Sequence, residues 1–94
     1  MIFSKKEYKF NDEIKEVTVL GLPGCGSCEA LFLGCQKVLE ELGADIKPVY
    51  IKDMEKLKEK GLMTVPALLV NGNVISCGKS LSVKKLKEIF GQKI

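Results

Sequence analysis

The sequence predicts an α/β domain, and three stretches carry that prediction. A β-branched run, Val17-Thr18-Val19-Leu20-Gly21, leads into the loop Leu22-Pro23-Gly24, and a long segment with apolar residues at helical spacing follows. Two short apolar runs flank Asn71-Gly72-Asn73, and Asn-Gly between such runs is a strong hairpin signal. Around these the patterns run strand, helix, strand, helix, strand, hairpin, strand, helix, the alternation expected of an α/β chain.

Taken in order, residues 1–15 form an extension with weak apolar alternation at Phe3, Tyr8 and Phe10, ending in Asn11-Asp12-Glu13. Both an added strand and a loose arm are open for it. Residues 16–94 read as one domain, with no repeat, low-complexity tract or linker inside it. Glu16–Gly21 reads as a buried strand. Gly26–Leu42 reads as a helix whose core stripe is Cys28, Leu31, Phe32, Cys35, Val38, Leu39 and Leu42, with Gly43 placed to end it. Ile46–Ile51 is the next strand, where Pro48 favours an edge position or a strand start. Asp53 is suited to cap a short helix running through Lys60, closed by Gly61. Pro66–Val70 and Val74–Cys77 are the hairpin strands. Ser82 then caps a last helix with Val83, Leu86, Ile89 and Phe90 on one face.

A chain of 94 residues holds one modest core and not two. The formal charge is only +3, and every basic residue is a lysine interleaved with Glu and Asp, as in Glu55-Lys56-Leu57-Lys58-Glu59-Lys60. That is the pattern of a solvated helix face, and without arginine there are no bidentate clamps on guanine or phosphate, so nucleic acid is not an expected partner. Histidine is absent, which removes Ser–His and Cys–His catalysis and imidazole metal sites. No apolar run approaches the ~20 residues of a membrane span, so no membrane association is expected. The Lys-rich start, Met1 to Phe10, lacks a signal-peptide h-region, so the expected location is the cytoplasm. There, a lone CxxC is more often catalytic or metal-binding than structural.

The chemistry concentrates in Cys25-Gly26-Ser27-Cys28, at the junction of the first strand and the first helix. A thiol at a helix N-terminus meets unpaired N–H groups and the positive end of the macrodipole, which favours the reactive thiolate. A second thiol about one turn on is within reach of a disulfide, so the placement suggests reversible dithiol chemistry. Gly24 and Gly26 satisfy the loop backbone and leave Cys25 sterically open.

Together with Thr64-Val65-Pro66 ahead of the third strand, this CxxC resembles the thioredoxin-like superfamily, in its compact, glutaredoxin-sized branch. It is most similar to the small prokaryotic redox-active disulfide proteins. The resemblance covers residues 16–91. It implies a βαβ-α-ββα thioredoxin-like fold, a four-stranded mixed sheet flanked by three helices. It also implies that Pro66 follows a cis peptide and faces the CxxC, and that Val65 offers backbone hydrogen bonds to a bound peptide. Cys25 would then be the exposed attacking thiol and Cys28 the buried resolving thiol of a thiol–disulfide oxidoreductase, a role periodicity supports by placing Cys28 on the core face. No cofactor beyond the Cys25–Cys28 dithiol/disulfide and no metal is implied. Expected partners are disulfide-bearing proteins and a thioredoxin-reductase-like or ferredoxin-linked reductase, and the expected state is a monomer. The chain departs from thioredoxin proper in having Gly24 where a Trp precedes the first Cys, Ser27 where a Pro lies inside the motif, and no buried Asp within Val17–Leu20. Cys77-Gly78-Lys79-Ser80 replaces the Gly-Gly and acidic residues with which glutaredoxins bind glutathione.

Two cysteines lie outside the motif. Cys35 is seven residues after Cys28, roughly 10 Å along the helix at ~1.5 Å per residue, so it reads as a buried, inert small hydrophobe. Cys77 reads first as a strand-end thiol or core filler and second as a regulatory thiol or metal ligand near Cys25. Lys79 reads first as a solvated lysine and second as a cation lowering the Cys25 pKa. Leu22, Leu62 and Met63 flank the two loops as core anchors or as an apolar docking rim. Two functions compete with exchange chemistry: a soft-metal carrier of the Cu(I) type, and a non-enzymatic dithiol redox switch.

Overall fold

A computed structural model describes residues 8–93, and Phe3 lies outside them. The elements are β1 (Tyr8–Phe10), β2 (Val17–Gly21), α1 (Gly26–Glu41), β3 (Val49–Lys52), α2 (Met54–Glu59), β4 (Ala67–Val70), β5 (Asn73–Cys77), α3 (Val83–Phe90) and β6 (Gly91–Lys93). Four strands form one mixed sheet in the order β3-β2-β4-β5, with β3 parallel to β2 and β4 and β5 antiparallel to their neighbours.

The central strands bury both faces, which is why they read as near-continuous apolar runs rather than as alternation. Val17 and Val19 of β2 and Leu68 and Val70 of β4 join Leu31, Cys35, Val38 and Leu39 of α1 and Leu86 and Phe90 of α3 in the larger cluster. The intervening Leu20, Ala67 and Leu69 face the other way, toward Leu57 of α2. Antiparallel pairing of β2 with β4 sets Val17 against Val70 and Leu20 against Ala67. One step further along that register, Pro66 comes level with Gly21.

Local signals explain the helix starts and the hairpin. The Asp53 carboxylate accepts from Glu55 N–H and the Ser82 hydroxyl accepts from Lys85 N–H, satisfying N–H groups that the helix leaves unpaired. Asn71 and Gly72 both hold positive φ (52° and 81°), as a primed two-residue turn requires. Asn71 Oδ1 also accepts from Lys15 N–H (2.7 Å) and Glu16 N–H (3.0 Å), and Nδ2 donates to the Glu13 carbonyl (3.1 Å). The turn is thereby fastened to the segment that enters β2.

Several expectations change. The described part of the extension is an added strand and not a loose arm, but it adds no edge to the main sheet. β1 pairs antiparallel with β6 as a separate two-stranded ribbon, Phe10 opposite Gly91, and Ile14 is buried in the core. β6 itself was not expected, because Gly91-Gln92-Lys93 has no strand pattern and is extended only through its pairing. β3 starts at Val49, directly after Pro48, so Ile46 supports the core from a loop. Val83, expected on the core face of the last helix, is exposed, and the buried stripe is Leu86 and Phe90.

Candidate active site

Cys25 occupies the N-cap of α1 in extended conformation, and its sulfur accepts from the Cys28 backbone N–H at 3.2 Å. The Ser27 hydroxyl lies 3.5 Å from the same sulfur. The first-turn N–H groups and the helix dipole therefore point at Cys25 Sγ, an arrangement that stabilises negative charge there. Cys25 is half-buried, while Cys28, one turn on, has no exposed surface. The two are joined as a disulfide with Cα atoms 5.3 Å apart, within the ordinary range for such a bond.

Cys28 packs against the bare end of β2. A Cβ added at Gly21 would lie 2.8 Å from both Cβ and Sγ of Cys28 and 3.0 Å from Cε1 of Tyr50. Only a residue without a side chain lets the end of β2 pass this close to the sulfur. Sequence reasoning missed Tyr50. Its ring stacks on Phe32 of α1 at 5.4 Å, with Lys52 Nζ 5.1 Å from the ring centroid. Its hydroxyl is buried without a hydrogen-bond partner. Burial raises its pKa, and the nearby Glu29 carboxylate raises it further, so the phenol stays neutral. No sequence pattern marks it: only the parallel pairing with β2 places Tyr50 opposite Val19, two residues from the level of Gly21.

The second loop approaches from β4. The Val65–Pro66 peptide is cis, with Thr64 exposed, Val65 half-buried and Pro66 buried. Leu22 and Leu62 are half-buried against the smaller core cluster as loop anchors, whereas Met63 stands 96% exposed beside Thr64. The sequence-expected residues thus divide cleanly. Gly24, Cys25, Gly26, Ser27 and Cys28 come together at the start of α1, and Thr64, Val65 and Pro66 form the strand entry beside it.

The other candidates go elsewhere. Cys35 is fully buried in the larger cluster, and burial pushes its thiol up to about 12, so it stays protonated and unreactive. Cys77 contacts Thr64. Lys79 lines an open groove of about 410 Å³ together with Ile75, Ser76, Cys77, Leu81, Lys85 and Ile89. No group of three or more His, Cys, Asp or Glu side chains arranged to hold a metal occurs among the described residues, and none of their helices is long and apolar enough to cross a membrane.

A family model described as a thioredoxin domain matches residues 15–91. The chain is also 33% identical over 67 residues to a protein named thioredoxin from Methanothermobacter thermautotrophicus, an alignment covering 71% of this chain and 87% of that one.

Proposed function

The chain belongs to the thioredoxin domain family, and from that premise we propose that it is a small thiol–disulfide oxidoreductase that reduces protein disulfides through Cys25 and Cys28. The observation that carries this reading is the asymmetry of the pair. One sulfur is half-exposed at a helix N-cap and the other is wholly buried beneath it.

In the reduced enzyme the Cys25 thiolate, held by the Cys28 N–H and the dipole of α1, attacks one sulfur of a substrate disulfide. The S–S bond breaks, a mixed disulfide forms at Cys25, and the first substrate sulfur leaves as a thiolate that takes a proton. Cys28 then loses its proton and attacks Cys25 Sγ. The intramolecular disulfide closes, and the second substrate thiol departs. Two electrons pass from the dithiol to the substrate. Thr64, Val65 and Pro66 border the site where a peptide flanking the substrate cysteine lies extended, with the Val65 backbone as its hydrogen-bonding edge. Gly24, Gly26 and Ser27 leave the approach to Cys25 open. Disulfide-bearing proteins are the substrates under this reading, and a thioredoxin-reductase-like or ferredoxin-linked reductase restores the dithiol. The protein acts as a cytoplasmic monomer without a further cofactor.

The test is a trapping experiment. Cys28→Ser, incubated with a peptide disulfide, should accumulate a one-to-one mixed disulfide at Cys25, located by peptide mass spectrometry. Cys25→Ser should accumulate none. Trapping at Cys28, or no adduct with either variant, sinks the assignment.

A further inference from the structure

Outside the dithiol, a third cysteine touches the loop proposed to receive the peptide. Cys77 ends β5 half-buried, with its sulfur 3.0 Å from Thr64 Oγ1 and 3.4 Å from the Thr64 carbonyl oxygen. A protonated thiol satisfies both contacts at once, donating its S–H to the carbonyl and accepting the Thr64 O–H. The next residue completes a clasp, since Gly78 N–H donates to the Pro66 carbonyl at 2.8 Å. A Cβ on Gly78 would meet Thr64 Oγ1 at 2.7 Å, so the close approach of the two segments depends on glycine there. Residues 77 and 78 therefore hold Thr64 and Pro66, the two neighbours of Val65.

We propose that Cys77 is a positioning residue: through Thr64 it sets the Thr64–Pro66 edge at which a substrate peptide binds, and it governs affinity for peptide disulfides without entering the exchange chemistry. The proposal rests on the oxidoreductase reading and adds a determinant of peptide recognition to it. Serine preserves both contacts, because a hydroxyl donates and accepts as a thiol does, whereas alanine removes them.

The experiment compares two substrates on the full chain. One is a self-quenched peptide disulfide with dithiothreitol as reductant, and the other is dithiobis(nitrobenzoate), which has no peptide backbone to dock. For Cys77→Ala the KM for the peptide should rise about three- to tenfold, the range for losing a modest hydrogen-bonded contact, with kcat nearly unchanged. Reaction with dithiobis(nitrobenzoate) should match the unaltered protein. Cys77→Ser should restore the original KM. Thr64→Val should reproduce the alanine effect from the other side of the contact, which keeps the test decisive if Cys77→Ala folds poorly. The double variant should be no worse than either single one, since both remove the same interaction. An unchanged peptide KM, additive losses, or equal losses on both substrates would overturn the proposal. An unaltered protein inactive on both substrates would instead remove the oxidoreductase premise, and this inference with it.

Discussion

At its C-terminal end β4 runs into Asn71, whose amide takes two backbone N–H groups and gives one hydrogen to a carbonyl of the segment before β2. At its other end the same strand follows Pro66, and there the preceding segment is held by the Cys77 thiol on Thr64 and by Gly78 N–H on the Pro66 carbonyl. The first end is fastened by amides, whose state does not change with redox conditions or moderate pH. The second is built around sulfur: the Cys25–Cys28 disulfide at the start of α1 and a third cysteine thiol on Thr64. One end ties the hairpin to the segment that enters β2, and the sulfur lies at the other. Exposure is divided just as sharply along α1, with Cys25 half-exposed at its N-cap and Cys35 sealed in the core.

The largest effect should come from Cys25→Ser, which removes the sulfur proposed to attack the substrate. Turnover of peptide disulfides should fall to the uncatalysed background, while the thermal unfolding midpoint of the reduced protein stays close to that of the unaltered chain. A smaller but compound loss is expected for Gly21→Val, which forces atoms into the space between Cys28 and Tyr50. Chemical denaturation should show a loss of about 3 kcal/mol from overpacking. Activity should drop about 100-fold, the scale on which a misplaced reacting group is penalised.

Asn71→Ala attacks the opposite end. It should cost about 2 kcal/mol through lost hydrogen bonds and an unfavourable positive φ, yet leave kcat and KM within about twofold below the unfolding transition. A large activity loss from this variant would break the proposed separation of the two ends. Ser82→Ala, which removes the cap of α3, should cost about 1 kcal/mol by the same denaturation measurement, again with activity retained.

The pH dependence sharpens the contrast within α1. Burial raises the folded-state pKa of Cys35 from 9.0 to about 12, so above pH 9 the unfolded chain releases a proton that the folded chain keeps. The unfolded state then binds fewer protons, and stability from this group is present below about pH 9 and lost between there and about pH 12. Denaturation curves across that interval should slope downward, and Cys35→Ala should flatten the slope while lowering stability at neutral pH through the cavity it leaves.

Much of this was legible because it depends on local pattern. Cys25 at the helix N-terminus and Cys28 on the core face follow from helical periodicity, the turn from Asn71-Gly72, and two caps from Asp53 and Ser82. What escaped depends on pairings distant in sequence. Gly91-Gln92-Lys93 has no strand propensity and becomes β6 only because β1 lies beside it. Tyr50 and Cys28 both crowd the bare Gly21, through the β2–β3 register and the start of α1, and a linear pattern displays neither approach. The Thr64–Cys77 contact joins residues thirteen positions apart across the hairpin. Val83 satisfied the helical spacing but lies at the margin of the apolar stripe, where periodicity alone does not separate buried from exposed.

The most direct test is a redox titration of the full chain in graded dithiothreitol buffers, read by alkylation and peptide mass spectrometry at each cysteine. Cys25 and Cys28 should become alkylatable together as one two-electron couple, at a potential within the ~−270 to −120 mV span of known disulfide oxidoreductases. Cys35 should stay unmodified until the protein is denatured, and Cys77 should remain a free thiol throughout. Independent titration of Cys25 and Cys28, or a pair that reacts only after a chelator is added, would contradict the account.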